Sequence, residues 1–78
     1  LDQFQAMARA QAMHDSGLRE DEVELLRLIA DGATNKEVGE KLFWSEVTVK
    51  RRASDVYSKL GVADRAQAVA EAMKRGLI

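Results

Sequence analysis

The sequence predicts an all-α domain, four helices built around a helix-turn-helix and preceded by an additional N-terminal helix or linker. Three observations carry this. Proline is absent, and Ala, Leu, Glu, Lys and Arg are frequent, a composition that favours helix throughout. Apolar residues recur at helical spacing, and no stretch alternates as a strand does. Helix-stopping and helix-starting residues punctuate the chain at Gly32–Thr34, at Ser45, at Gly61 and at Gly76.

Taken in order, residues 1–14 carry a weak apolar stripe of Leu1, Phe4, Met7 and Ala8, ended by the turn formers "HDSG" at 14–17. Residues 1–17 are therefore set apart as a linker or extra helix, and residues 18–78 as the domain. A stronger helix over 19–31 has a wide stripe of Leu18, Leu25, Leu26, Leu28 and Ile29, with Gly32 just past its end. In "TNKE", Thr34 and Glu37 form a capping box that starts a short helix over 35–42. Gly39 inside it costs about 1 kcal/mol against alanine, which a close approach by another helix explains. Ser45 caps a third helix over 46–59, ended by Gly61, and a fourth runs from about Arg65 to Arg75.

Size and charge narrow the function. A chain of 78 residues makes one small domain with a small core and no deep cavity, and few enzymes fit such a volume. Without cysteine there is neither a disulfide framework nor a cysteine zinc site, which agrees with a reducing cytoplasm. No apolar run approaches the ~20 residues of a membrane span. A start at Leu1 rather than Met suggests a fragment of a longer protein. The formal net charge is only −1, but it is unevenly spread. Residues 18–34 set Arg19 and Arg27 against Glu20, Asp21, Glu22, Glu24 and Asp31; residues 45–60 set Lys50, Arg51, Arg52 and Lys59 against Glu46 and Asp55.

The basic segment lies on the third helix. Advancing about 100° per residue gathers Val49, Ala53, Val56 and Leu60 in one core-facing arc, with Tyr57 beside it. Val47, Arg51, Ser54 and Ser58 fall opposite; Lys50 lies on one edge, and Thr48, Arg52, Asp55 and Lys59 lie on the other. Cations, small hydroxyls and an exposed valine suit a DNA major groove, since Arg and Lys donate to guanine and valine touches a thymine methyl. On periodicity alone, a DNA-reading face and a merely solvated one are equally open. The order of short helix, tight connection at Phe43–Trp44 and longer cationic helix then favours the first. Trp44 is read as core beneath the turn rather than as a base-stacking ring. Glu22 falls near the apolar face of its helix, where a basic side chain or free backbone N–H groups must satisfy it. No nucleophile, paired carboxylate or metal-ligand spacing accompanies it, and His14 is a surface residue with no partners for a metal. No cofactor is expected.

The stretches "LRLIADG", "TNKE", "S..TVK", "KLGV..R.QAV" and the terminal "RGLI" stand at spacings that together resemble the LuxR/NarL-type (GerE-like) helix-turn-helix domain of bacterial transcription regulators, over roughly residues 18–78. The resemblance implies sequence-specific binding of double-stranded DNA, with the helix over 46–59 in the major groove. Carried over by position, Lys50, Arg51, Ser54 and Val47 become candidates for base reading. Asn35, Lys36, Ser45, Thr48, Arg52, Lys59 and Arg65 become candidates for phosphate contact. It also implies a homodimer on DNA paired through 65–75. There Val69, Ala72 and Met73 cover a core-facing arc, and Ala66 and Ala70 border it; Ala66, Ala70 and Met73 are the candidate interface. The alternative is an alanine-rich helix that simply propagates well. A missing N-terminal sensing or phosphoreceiver domain, a cytoplasmic location and RNA polymerase as a further candidate partner follow from the same resemblance. This sequence departs from the family at Arg19 and Glu20, where a Thr or Ser cap and a proline are usual, at Arg52, where histidine is common, and at Ala53, where a larger aliphatic is usual. A protein-interaction module on the same scaffold, without DNA binding, is the alternative.

Overall fold

The computed structural model describes residues 2–78, which form five helices: α1 (Asp2–Ser16), α2 (Glu20–Ala30), α3 (Asn35–Leu42), α4 (Glu46–Leu60) and α5 (Arg65–Lys74). No strand occurs among the described residues. Leu1, the first position of the N-terminal apolar stripe, lies outside them. The helix-turn-helix is α3 and α4; α2 and α5 pack against it. None of the helices is long and apolar enough to cross a membrane.

α1 runs two residues past the expected stop. Gln11 Nε2 donates to Asp15 Oδ1 at 3.0 Å, across one turn, and carries the helix through "HDS". It ends at Ser16, whose hydroxyl donates to the Met13 carbonyl at 2.8 Å and accepts the Leu18 N–H at 3.1 Å. Only this last part, through Ala12 and Met13, packs on the core. Phe4 and Met7 remain exposed.

α2 starts without a side-chain cap. Arg19 is extended; its carbonyl takes the Glu22 N–H at 3.1 Å, and the carboxylate of Glu22 accepts the Arg19 N–H at 3.0 Å. Glu22 is 2% exposed, and an isolated carboxylate there would cost several kcal/mol. Lys59 from α4 offsets that cost, its Nζ lying 3.0 and 3.3 Å from the two carboxylate oxygens. Both partners expected from the sequence, a basic side chain and a backbone N–H, are thus present.

α3 begins as its capping box dictates. Thr34 Oγ1 accepts the Glu37 N–H at 3.2 Å and Glu37 Oε1 accepts the Thr34 N–H at 3.0 Å. The Thr34 backbone N–H holds the Glu37 carboxyl below the usual carboxylate range. The box therefore supports α3 above the ordinary carboxylate pKa and is lost as pH falls through the lowered value. α3 ends at Phe43, a non-glycine residue in the left-handed region with φ 60° and its side chain 94% exposed.

The core is aliphatic. Val23, Leu25, Leu26, Val38, Val49, Val56 and Leu77 are fully buried. α4 presents the expected arc of Val49, Ala53, Val56 and Leu60. For α5 the expected arc needs correction. The buried residues are Ala68 and Ala72, one turn apart, with Val69 half-buried, whereas Met73 is 59% exposed. The arc is centred one residue earlier than Val69, and its alanines let α5 lie close to its neighbours. The apolar volume that Met73 does not supply comes from Leu77. The chain reverses at Gly76, with the Leu77 N–H on the Ala72 carbonyl at 2.8 Å, and this drops Leu77 into the core.

Gly39 was expected to permit a close helix crossing. The group that approaches it is the backbone of the turn: a Cβ at residue 39 would lie 2.5 Å from the Trp44 carbonyl oxygen and 3.6 Å from Val49 Cγ2. Gly39→Ala gains up to about 1 kcal/mol of helix propensity. It also forces a backbone group to move, and such overpacking costs about 1–3 kcal/mol. The expected net is a lower melting temperature for Gly39→Ala and a larger loss for Gly39→Leu; a melt unchanged from wild type in both would show that the turn yields freely.

Candidate nucleic-acid interface

α4 presents its outer face because its inner one is committed to the core. Ser45 fixes the start, accepting the Thr48 N–H at 3.1 Å and donating to Thr48 Oγ1 at 3.0 Å. From that start Val47, Lys50, Arg51, Ser54 and Ser58 are all exposed, Val47 at 76%. Neither Lys50 nor Arg51 has a carboxylate within ion-pair distance among the described residues. The four candidates for base reading, Val47, Lys50, Arg51 and Ser54, therefore share one solvent-facing surface.

The candidates for phosphate contact divide. Lys36 is exposed at the start of α3 and unpaired among the described residues, and Asn35 beside it is half-buried. Ser45 and Thr48 hold the first turn of α4, with their hydroxyls engaged on each other. Three others, Lys59, Arg65 and Arg52, make contacts within the molecule. Lys59 is bound to the buried Glu22. Arg65 donates from Nη2 to the Ala33 carbonyl, tying the start of α5 to the α2–α3 link. Arg52 donates from Nη2 to Asp21 Oδ2 at 2.8 Å, and its guanidinium carbon stands 4.8 Å from the centre of the Trp44 ring. Each of these contacts joins residues more than thirty positions apart, so sequence spacing could show the cation but not its partner.

Trp44 packs against the core, as expected, but stays half-buried, with Arg52 over its ring. Asp21 and Phe43 belong to this region and were not singled out from the sequence. The signal for Asp21 was present in the acidic first turn of its helix. Phe43 gave none, because an aromatic between two helices reads as core. On α5, Ala66, Ala70 and Met73 are all exposed, and Ala70 borders a shallow groove with Val62, Gln67, Glu71 and Lys74. His14 is exposed on α1.

Residues 17–72 match the family described as bacterial regulatory proteins, luxR family. Among curated relatives, the transcriptional regulatory protein LiaR of Bacillus subtilis (strain 168) is 45% identical over 67 residues, 86% of this chain and 32% of its own length. The transcriptional regulatory protein DegU of Brevibacillus brevis is 46% identical over 57 residues, 73% of this chain and 24% of its own. The transcriptional regulatory protein YdfI of Bacillus subtilis (strain 168) is 38% identical over 76 residues, 97% of this chain and 35% of its own. This chain thus spans about a quarter to a third of the length of these three relatives. It belongs to the luxR family of bacterial regulatory proteins, a family of regulators and not of enzymes.

Proposed function

We propose that residues 18–78 form a DNA-binding output domain that reads double-stranded DNA with α4 in the major groove. The observation that carries this reading is the outer face of α4. It holds exposed, unpaired Lys50 and Arg51 among Val47, Ser54 and Ser58, on a helix fixed along its inner side by the core. Lys50 and Arg51 donate to guanine edges, Ser54 accepts or donates to either strand, and Val47 meets a thymine methyl. Lys36 and Asn35, with the first turn of α4 at Ser45 and Thr48, set the register on phosphates. α1 serves as a linker helix to a sensing or receiver domain, in a cytoplasmic regulator whose further partner is RNA polymerase. Titration with mixed duplex DNA tests the whole reading: affinity must fall steeply with salt as counterions are released.

The second reading, a protein-docking module on this scaffold, is favoured by the low net charge and by the exposure of two large apolar residues, Phe43 and Val47. Binding that is insensitive to salt, or absent on every duplex, would favour it.

Arg51→Ala and Lys50→Ala are expected to weaken a selected site by about 1–3 kcal/mol while sparing random DNA. Equal losses on both duplexes would reassign them to phosphate. Lys36→Ala should weaken all duplexes alike and reduce the salt slope by about one. Lys59→Ala should leave the slope unchanged and instead destabilise the fold. It strips the buried Glu22 of its cation, and the half-exposed ammonium limits the loss to about 1–3 kcal/mol; chemical denaturation measures it.

Two copies pairing through α5 would read two related half-sites. Exposed Ala66, Ala70 and Met73 support that pairing surface, which is small enough to form only on DNA. Ala70→Glu is expected to keep the fold and abolish cooperative occupancy of a two-half-site duplex. Cooperative titration by the variant would move the contact off α5.

A further inference from the structure

We propose that Arg52, held between Asp21 and Trp44, is a positioning residue that sets the angle at which α4 meets DNA. The proposal rests on the DNA-reading function above and adds to it the device that aims the helix.

Arg52 and Lys59 are seven residues apart, two turns of α4, and so lie along one stripe of that helix. Their partners are consecutive residues in the first turn of α2: Asp21 takes Arg52 at 2.8 Å and Glu22 takes Lys59 at 3.0 Å. The core holds the inner side of α4, and one polar contact at its edge would add a restraint at a single point. Two contacts, separated by ~10 Å along the helix axis, fix its direction as well as its place. The Lys59 point is anchored by burial, since Glu22 is sealed in the core. The Arg52 point is anchored by shape. Its guanidinium presents one edge to Asp21 and one face to Trp44, and a planar, delocalised cation can do both at once where an ammonium cannot.

Trp44 matters because it belongs to the turn. Its carbonyl closes on Gly39 of α3 and its ring lies under Arg52 of α4, so a single residue ties the turn to both helices. The pair also has unused capacity on both sides. Asp21 Oδ1 and Arg52 Nε are buried and have no partner among the described residues, one an acceptor and the other a donor. A side-on carboxylate–guanidinium pair uses both atoms, and a small turn of either side chain completes it. Of the three consecutive cations, then, Lys50 and Arg51 face outward and Arg52 aims them.

Asp21→Asn and Arg52→Lys test this, and neither removes a residue from the outer face. Trp44 is the only tryptophan in the sequence, so its fluorescence reports the device without DNA. In both variants the ring loses its fixed cover, and acrylamide quenching should rise by about twofold, the scale of one lost cation–aromatic contact at a partly exposed site. Affinity for a duplex selected by the wild-type protein should fall roughly tenfold, as for one misplaced base contact, with random-duplex affinity and salt slope unchanged. A parallel loss on both duplexes, with a shallower slope in Arg52→Ala, would make Arg52 a phosphate contact and overturn the proposal. Unchanged quenching and selectivity in Asp21→Asn would overturn it too. Should Arg52→Lys lose its helical signal, Asp21→Asn alone decides, since it conserves volume and keeps the arginine. If the wild type selects no duplex, DNA reading fails and the proposal falls with it; if the wild type selects and the variants select equally well, the positioning role alone falls.

Discussion

The carbonyl oxygen of Trp44 occupies the space in which residue 39 would carry a Cβ, and α3 can meet the turn only because that residue is glycine. Much of the domain follows from this contact. It brings Val38 and Val49 together under the turn, where both are fully buried. It presents the Trp44 ring to Arg52. It also sets where α4 begins, and hence which residues of α4 the core covers and which it leaves to solvent. In a domain this small, about 1–3 kcal/mol of overpacking is a large share of total stability, so the contact constrains the sequence tightly.

Much of the fold was legible in the sequence because its punctuation is local. Thr34 with Glu37, Ser45 with the Thr48 N–H, and Gly61 act over three or four residues, and the helices begin and end within two residues of where those signals stand. The inner arc of α4 was legible for the same reason: periodicity is a local property. Three things were not. The partners of Arg52, Lys59 and Arg65 lie on other helices, and charge alone does not name them. The centre of the α5 arc was displaced because alanine gives almost no periodic signal, so Met73 and Val69 outweighed Ala68. The burial of Leu77 depends on a chain reversal at Gly76 rather than on any helix.

The slightly negative net charge is easier to understand once each charge is placed. The acidic first turn of α2 is partly consumed by the scaffold, Asp21 and Glu22 being matched to cations of α4. These pairs cancel within the molecule and contribute little to its outer field. Lys36, Lys41, Lys50 and Arg51 of α3 and α4 have no ion pair among the described residues, and neither have Glu37, Glu40, Glu46 and Asp55 of the same two helices. A summed charge therefore does not describe the outer face of α4, where exposed Lys50 and Arg51 stand among Val47, Ser54 and Ser58.

α1 meets the core only through its last turns, at Ala12 and Met13, and then joins α2 through Gly17. Its 15 residues form a rod of ~22 Å. Treated as a lever with its fulcrum at Gly17, the rod magnifies small rotations: a tilt of about 10° sweeps the far end through ~4 Å. The same ratio works in reverse. A sideways force at the far end arrives as torque at the junction with α2, where the Ser16 hydroxyl donates to the Met13 carbonyl at 2.8 Å and accepts the Leu18 N–H at 3.1 Å, and the Gly17 N–H donates to the Met13 carbonyl at 3.2 Å.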